Sequence, residues 1–273
     1  MSNQNGSNGS APAELARVLT LRSLVFYGIA FIIPLAFFTT YGIVTNTTHG
    51  HVSMTYVVAT LCMVFTAYSY CRMSKAFPSS GSVYAYATET FNPYIGFIAG
   101  WTIVLGYMFL PMLNYLASAI FMQAALPSIP LWVWVVLFTV IVTGANLLGI
   151  RVADIFNNVV VIIQLIFLVV LLIMTVRYIT GHDLALNMSA FYNSEEFANM
   201  GGVKGIASGA AIVCLAYMGI DGIAALGEEA IEPKKNIPKA LIICCIGVGA
   251  TYVIFTYMLT AAWPTDWQEH EIL

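Results

Sequence analysis

A single carboxylate, Asp221, lies within a long apolar segment that runs from residue 206 to 227. It is the only formally charged residue inside any long apolar segment of the chain. A carboxylate at membrane depth costs roughly 2.5–3.5 kcal/mol on insertion scales, so such residues are usually functional. Gly219 and Gly222 disfavour regular helix at the same point and leave backbone carbonyls and amides free. A broken membrane helix with an ionisable group at the break predicts a midplane site for a polar solute, as in a transporter.

A second helix interruption is predicted in the first apolar segment, residues 24–45. Pro34 has no amide hydrogen and its ring clashes with the carbonyl four residues earlier, so the Ala30 carbonyl loses its helical partner. In a bilayer that carbonyl must face protein, water or a bound solute. An ordinary proline kink is the alternative. However, interrupted helices at corresponding places in two repeats point to a binding site, so the first and sixth segments are predicted to open two repeats of opposite orientation.

The third apolar segment, residues 94–122, carries a polar face. Tyr107, Pro111 and Asn114 recur at a spacing of three or four residues and therefore share one side of a helix. Pro111 predicts an interruption that frees the Tyr107 carbonyl. Polar groups in a membrane helix turn toward the bundle or a cavity, so Tyr107 and Asn114 are candidates for solute contact. Hydrogen bonding between helices by Asn114 is an equal alternative.

Composition places the chain in the membrane. Hydrophobic residues make up 60%, charged residues 8%, and the mean hydropathy is +0.85, against roughly 25% charged residues in a soluble domain. The chain is therefore predicted to be an all-α membrane protein with a disordered cytoplasmic tail (1–17), a transmembrane domain (18–263) and an outside-facing tail (264–273). The seven predicted spans, each of roughly 20 residues, are 24–45, 54–71, 94–122, 131–149, 155–176, 206–227 and 240–263.

Basic residues predict the orientation, because cytoplasmic loops are enriched in Lys and Arg. With the N-terminus inside, the outside segments hold only Arg177 and Lys204 of the ten Lys and Arg residues. We therefore predict a multi-pass protein of the cytoplasmic membrane, with Asn187 and Ser189 in an outside loop. No basic stripe suited to nucleic acid is present. The inside segments hold Arg17, Arg22, Arg72, Lys75, Arg151, Lys234, Lys235 and Lys239.

Cysteine and histidine usage predicts neither a cofactor nor a metal. The five cysteines fall in or at the ends of apolar helices, where free thiols are expected. His49 and His51 lie in a loop predicted to face outside, where solvated side chains are expected rather than metal ligands. One aspartate does not make an enzyme active site, and the sequence offers neither a polar ring nor a re-entrant filter for a channel. A channel or a non-transporting membrane scaffold is kept as the alternative class.

Two loop motifs carry a family resemblance. After the second segment the chain reads Phe77-Pro78-Ser79-Ser80-Gly81-Ser82-Val83-Tyr84-Ala85-Tyr86. This run resembles the Pro-x-x-Gly-(Gly/Ser)-x-Tyr-x-Tyr motif of amino acid–polyamine–organocation permeases. After the sixth segment, Glu228-Glu229 and then Pro233-x-Lys235-x-Ile237-Pro238-Lys239 resemble the other hallmark of that superfamily. Within it, Trp132-Val133-Trp134 and Phe109-Leu110-Pro111-Met112 are similar to bacterial putrescine importers and related amino acid permeases.

The resemblance implies a leucine-transporter-type fold, with an inverted repeat and alternating access around a central site. It implies that backbone atoms at the breaks of helices one and six hold the substrate, with Tyr217 as an aromatic gate. Ile32-Ile33-Pro34 stands where many members have Gly-x-Gly, which leaves less backbone access for a carboxylate. Gln164 stands where some proton-coupled members have lysine, so Asp221 or Glu228 becomes the candidate proton carrier. The implied substrate positions are Ala30, Phe31, Ile32, Ile33, Tyr217, Met218, Gly219, Ile220 and Asp221.

Members of the superfamily continue beyond a seventh span, so the chain is expected to be an N-terminal fragment that holds the first repeat and two helices of the second. The missing helices, as a second chain, are a candidate partner. The expected function is proton-coupled import of amino acids or polyamines. The choice between a putrescine importer and a general amino acid permease or exchanger stays open at this point.

Overall fold

The computed structural model describes residues 17–148, 150–182, 191–199 and 201–262, without the side chains of 150–154. Within this part the chain forms helices and no β-strand. Except for Arg17, the two predicted tails lie outside the described residues, as do Asn187 and Ser189. The helices are α1 (Leu21–Ile32), α2 (Phe37–Thr48), α3 (Val52–Ala76), α4 (Ser82–Thr90), α5 (Pro93–Ala125), α6 (Leu131–Leu147), α7 (Ile150–Gly181), α8 (Ser194–Asn199), α9 (Val203–Cys214), α10 (Ile220–Ala225) and α11 (Pro233–Ala262).

Each predicted span corresponds to helix in the structure, but the helices differ in length. Among the described residues, five stretches are long and apolar enough to cross a membrane, and the pair α1 and α2, bent by 49° at its break, makes a sixth. The seventh predicted span, 131–149, corresponds to α6. Its 17 residues give about 25 Å of helix, which is less than the ~30 Å hydrocarbon core. The five single stretches are Val52–Ala76, Pro93–Ala125, Ile155–Gly181, Val203–Glu228 and Pro233–Ala262.

The first break follows from Pro34. The α1 helix ends at Ile32, and Ile33 takes a positive φ of 52°. The Ile33 amide still donates to the Ile29 carbonyl at 3.1 Å, whereas Pro34 has no amide to continue the ladder. The Ala36 amide then donates to the Ile33 carbonyl at 2.8 Å in a tight turn, after which α2 begins. The predicted interruption of the first span is therefore present.

The second break begins earlier than the glycines indicate. The α9 helix ends at Cys214, a 3-10 turn covers Leu215–Tyr217, and Met218 is extended with ψ 142°. Gly219 has φ 98°, a conformation that glycine adopts without steric cost, and α10 begins at the next residue. Asp221 therefore lies in the first turn of α10 rather than in unwound chain, which corrects the predicted break at residues 219–222 by about four residues.

The predicted interruption at Pro111 is wrong. The α5 helix runs without a break from Pro93 to Ala125, with Pro111 inside it. A proline in a membrane helix removes one backbone hydrogen bond, and the helix can continue on both sides of that gap. The polar face of α5 is therefore carried by a continuous helix.

The centre of the bundle is formed by α3 and α11, which pack along one another and against α1 and α9. Three tyrosines, Tyr56, Tyr217 and Tyr252, are the largest side chains with no solvent exposure. By contrast, α5 buries only Gly96 and Ala119 among its 33 residues. The apolar side chains along α5, α6 and α7 are largely exposed, as expected for surfaces that meet lipid or further helices.

Contacts between loops agree with the predicted alternation of spans. The chain just before α1 lies beside the loop after α10, where the Leu19 amide donates to the Glu229 carbonyl at 2.9 Å. The loop after α3 reaches the same place, where the Ser80 amide donates to Oε1 of Glu228 at 3.1 Å. All three segments are predicted to be cytoplasmic. The contacts group them on one face, and the direction of that face stays a prediction.

On the opposite face of the bundle, a buried histidine connects two loops. His51, at the start of α3, is 2% exposed, so the expectation of a solvated side chain is wrong. Its Nδ1 lies 2.9 Å from the Thr48 carbonyl oxygen, and its Nε2 lies 3.0 Å from the Asn193 carbonyl oxygen. His49 is paired with Glu196 at 3.2 Å. The loops after the first and fifth spans therefore meet, as their predicted common side requires.

Candidate functional site

The two helix breaks lie against each other. A Cβ built on Gly219 would lie 2.5 Å from the carbonyl oxygen of Phe31, and one built on Gly222 would lie 2.9 Å from the Phe31 ring. Both distances are too short for a real side chain, so the last turn of α1 packs directly on the backbone at the start of α10. Gly28 shows the same close approach further down α1, where a Cβ would lie 2.5 Å from the Sγ of Cys244 on α11.

A hydrogen bond connects this junction to α5. The Tyr107 hydroxyl donates to Oδ2 of Asp221 at 2.7 Å. A neutral donor at this distance from a carboxylate forms a short, charge-assisted hydrogen bond. Asp221 is half-buried, whereas the Tyr107 side chain is 46% exposed. The carboxylate is thus held by a phenol on its open side and still has oxygen lone pairs for another donor.

No cation neutralises Asp221 in the part of the chain that the structure describes. The ion pairs found there join His49 to Glu196 and Lys235 to Glu232. The same residues contain no cluster of three or more His, Cys, Asp or Glu side chains that would hold a metal ion. Half-buried negative charge that lacks a positive partner favours a cationic ligand.

The loop of the first family motif contacts α10 and the chain that follows it. The Ser82 hydroxyl donates to the Asp221 backbone carbonyl at 3.5 Å. A Cβ on Gly227 would lie 3.1 Å from the Ser79 carbonyl oxygen, so the loop after α3 packs closely on the chain after α10. This loop therefore supports the chain around Asp221, from the first turn of α10 to the turn that follows the helix.

The aromatic residues of the first motif are divided between surface and interior. Tyr84 is 48% exposed, and its ring lies against Gly100, where a Cβ would be 2.8 Å away. Tyr86 is buried with its ring 6.2 Å from that of Tyr70. Burial raises the pKa of Tyr86 to about 12, so its phenol stays protonated at physiological pH.

Tyr217 lies on the buried side of the break. Its side chain has no solvent exposure, and its hydroxyl lies 2.6 Å from Oγ1 of Thr60 on α3. Tyr252 packs edge-on against it, with ring centroids 5.4 Å apart. In this conformation Tyr217 is part of the core, and the gate role implied by the family resemblance stays a prediction.

The candidate substrate residues divide into three groups. Those that meet at the open side of the junction are Phe31, Met218, Gly219, Asp221 and Tyr107. Those that lie at or behind the breaks are Ala30, Ile32, Ile33, Tyr217 and Ile220. Asn114 belongs to neither: it is exposed on α5, about 10 Å along the axis from Tyr107, and its side chain forms no hydrogen bond with the described residues. Whether each of them touches substrate stays a prediction.

Sequence reasoning missed Tyr252 and Ser82. Tyr252 is a tyrosine within the apolar segment 240–263, where a buried phenol needs a hydrogen-bond partner; that need was the only available signal. Ser82 has a positive φ of 45° and is buried, and nothing in its local sequence indicates that its hydroxyl reaches Asp221.

The family assignment rests on comparison with known sequences. The sequence model of the amino acid permease family matches residues 23–270. The chain belongs to this family, within the amino acid–polyamine–organocation superfamily, and is a multi-pass membrane protein and not an enzyme.

Three relatives show the range of named substrates. The chain is 34% identical to the low-affinity putrescine importer PlaP of Escherichia coli (strain K12), over 95% of this chain and 57% of the importer. It is 27% identical to the methylthioribose transporter of Bacillus subtilis (strain 168) and 27% identical to the branched-chain amino acid permease BcaP of that organism. Each of these two matches covers 93% of this chain and 57% of the relative. The chain thus spans little more than half the length of these curated relatives.

Proposed function

We propose that the full-length gene product is a secondary transporter that imports a small amine, putrescine or a cationic amino acid, across the cell membrane by alternating access. The observation that carries this proposal is the half-buried Asp221 carboxylate, which lies at the junction of two broken helices and is held by Tyr107 at 2.7 Å. Broken helices that meet around a polar group are how secondary transporters form a midplane site. The relative named as a putrescine importer supports the amine class.

Within this range, the carboxylate at the junction favours a diamine, and the first break offers few free N–H donors. An amino acid brings a carboxylate, which needs free N–H donors. The Ile33 amide already donates to the Ile29 carbonyl, the Ala36 amide donates to the Ile33 carbonyl, and Pro34 has none. A diamine needs no such donors. It needs acceptors and aromatic faces for its ammonium ends, which Asp221 and the exposed rings of Phe31 and Tyr107 supply.

Proton coupling through Asp221 is part of the proposal. Protonation removes the charge that an ammonium group binds, so a proton and a cationic substrate compete for the same carboxylate. Glu228, the other candidate, is exposed and accepts a hydrogen bond from the Ser80 amide. It therefore lies on the loop face, away from the junction, and Asp221 is the better placed of the two to couple protons to substrate.

The open side of the junction is where we place the remaining helices of the transporter. The exposed apolar faces of α5, α6 and α7 and the polar groups Tyr107 and Asn114 would meet them. Either the same polypeptide or a second chain could supply these helices, and the complete site forms only with them in place.

Uptake by the full-length gene product in reconstituted vesicles tests the proposal. Labelled putrescine, lysine and leucine are compared with and without an inward proton gradient. Saturable, gradient-stimulated uptake of putrescine above leucine is expected, with competition by unlabelled putrescine. Preferential uptake of leucine would overturn the cationic-substrate assignment, and no saturable uptake of any of the three would overturn transport of these amines and amino acids.

A further inference from the structure

One hydroxyl lies between the two helix breaks. The phenol oxygen of Tyr252, on α11, lies 3.1 Å from the carbonyl oxygen of Ile32, 3.0 Å from that of Ile33 and 3.0 Å from that of Ala216. Ile32 and Ile33 flank the start of the first break, and Ala216 belongs to the 3-10 turn that opens the second. A single side chain of a third helix therefore contacts both breaks.

These carbonyls compete for one proton. A phenol has a single O–H and so donates one strong hydrogen bond at a time. The Ile32 carbonyl lacks its regular helical donor, because the Ala36 amide donates to Ile33 instead, at 2.8 Å. A buried carbonyl without a donor is unfavourable, especially at membrane depth. The hydroxyl therefore supplies its donor to one break at a time, and it lies within reach of both breaks only in this arrangement.

Packing fixes the position of this hydroxyl. The Tyr252 ring has no solvent exposure and lies against Phe37, Tyr56 and Tyr217, with centroid distances of 6.1, 5.5 and 5.4 Å. The hydroxyls of the two tyrosine neighbours are engaged elsewhere, that of Tyr56 with Thr40 at 2.6 Å and that of Tyr217 with Thr60 at 2.6 Å. The packed ring therefore fixes the position of the Tyr252 hydroxyl. A break accepts a hydrogen bond from it only when its carbonyl lies beside that position.

We propose that Tyr252 is a positioning residue of the binding site, whose hydroxyl holds the two breaks in one register without touching the substrate. Through that register it places Phe31 and Gly219 beside each other and next to Asp221. The proposal rests on the proposed function of the junction as a substrate site. When one half-helix moves away in a transport cycle, the single proton stays with the other break. Only the arrangement with both breaks beside Tyr252 brings Phe31, Gly219 and Asp221 together, and it is therefore the binding-competent one.

The test compares Tyr252→Phe with Tyr56→Phe in the full-length gene product. Both changes remove one buried phenol oxygen from the same cluster, but only the first removes the donor at the breaks. For labelled putrescine, Tyr252→Phe is expected to raise KM at least about fivefold with Vmax within about twofold, because a smaller fraction of the protein is binding-competent. Tyr56→Phe is expected to leave KM within about twofold of wild type. Equal KM effects in the two variants, or an unchanged KM in Tyr252→Phe, would overturn the proposal.

Hydrogen exchange separates this proposal from the transport function. In purified protein, Tyr252→Phe is expected to speed amide exchange in peptides covering both breaks, 30–37 and 214–222, relative to wild type and Tyr56→Phe. This readout holds even if the wild type transports none of the amines tested. Faster exchange at only one break, or at neither, contradicts a shared donor. If Tyr252→Phe does not accumulate, 4-aminophenylalanine at position 252, which keeps a donor, should restore both accumulation and wild-type exchange, and its failure to do so counts against the proposal.

Discussion

The hydroxyl of Tyr107 and the carboxylate of Asp221, 114 positions apart in sequence, form a 2.7 Å hydrogen bond. The bond joins the continuous helix α5 to the first turn of α10, directly beside the last turn of α1. It therefore links the third span to the junction of the two broken spans. The carboxylate keeps an open side toward Tyr107, whereas its backbone is held from behind by Ser82.

Tyr107→Phe tests the contribution of this bond. The change removes one donor to a carboxylate, an interaction worth about 1.5–3 kcal/mol, and leaves the ring in place for an ammonium group. We expect putrescine KM to rise roughly tenfold with little change in the amount of folded protein. The matched control is Tyr94→Phe on the same helix, where the side chain is 83% exposed. A KM for Tyr107→Phe equal to that of the control would show that the bond does not help to organise the site.

Gly219→Ala tests the close contact between the breaks. The new Cβ would meet the Phe31 carbonyl, and alanine is strained at φ 98°. Such strain costs about 1–3 kcal/mol, so the melting temperature of the purified protein should fall and uptake should be lost. Gly247→Ala is the control, because a Cβ on this α11 residue has no neighbour within 4 Å. It should raise helix stability slightly. Equal melting temperatures for the two variants would contradict the contact.

Much of this architecture can be predicted from the sequence, because its causes are local. Pro34 predicts the first break since proline removes a helical donor, and the apolar segments predict the spans. The second break begins at Leu215–Tyr217, a turn that contains neither glycine nor proline. A prediction based on glycines therefore puts the start of this break about four residues too far along the chain. Pro111 predicts a break that α5 does not have, because the helix tolerates one missing bond.

Tertiary contacts are where prediction from the sequence ends. Tyr107 and Asp221 are both candidates on chemical grounds, yet nothing in either segment indicates that they touch. Tyr252 has no local signal beyond a phenol in an apolar helix, since its role depends on carbonyls that two other helices expose. Likewise, His51 is predicted to be solvated and is instead buried, because residues 192–197 fold over it.

Orientation in the membrane is tested by labelling single cysteines in intact cells. Glu195→Cys and Lys235→Cys, in a background without native cysteines, place thiols at exposed positions on opposite faces of the bundle. With the N-terminus inside, an impermeant maleimide should label position 195 and leave position 235 unlabelled until the membrane is opened. The reverse pattern would invert the predicted topology.

A polypeptide limited to residues 1–273 should insert without saturable uptake. Its α5, α6 and α7 expose large apolar surfaces, and the matches cover only 57% of the length of the curated relatives. We expect it to aggregate or to be degraded, and to recover uptake when the remaining helices are co-expressed as a second chain. Robust putrescine uptake by residues 1–273 alone would show that the junction does not need further helices.

The role of Asp221 in binding the amine is tested most directly by putrescine uptake by Asp221→Asn in the full-length gene product, measured from acidic to neutral pH. The amide keeps the size of the side chain and an acceptor for Tyr107, but it removes the charge. Loss of one partner from a desolvated charge pair costs 2–5 kcal/mol, so kcat/KM should fall at least about thirtyfold and the remaining uptake should lose its pH dependence. Glu228→Gln, on the loop face, should keep the wild-type kcat/KM and the wild-type pH dependence. If Asp221→Asn transports putrescine with the wild-type kcat/KM and pH profile, Asp221 does not bind the amine.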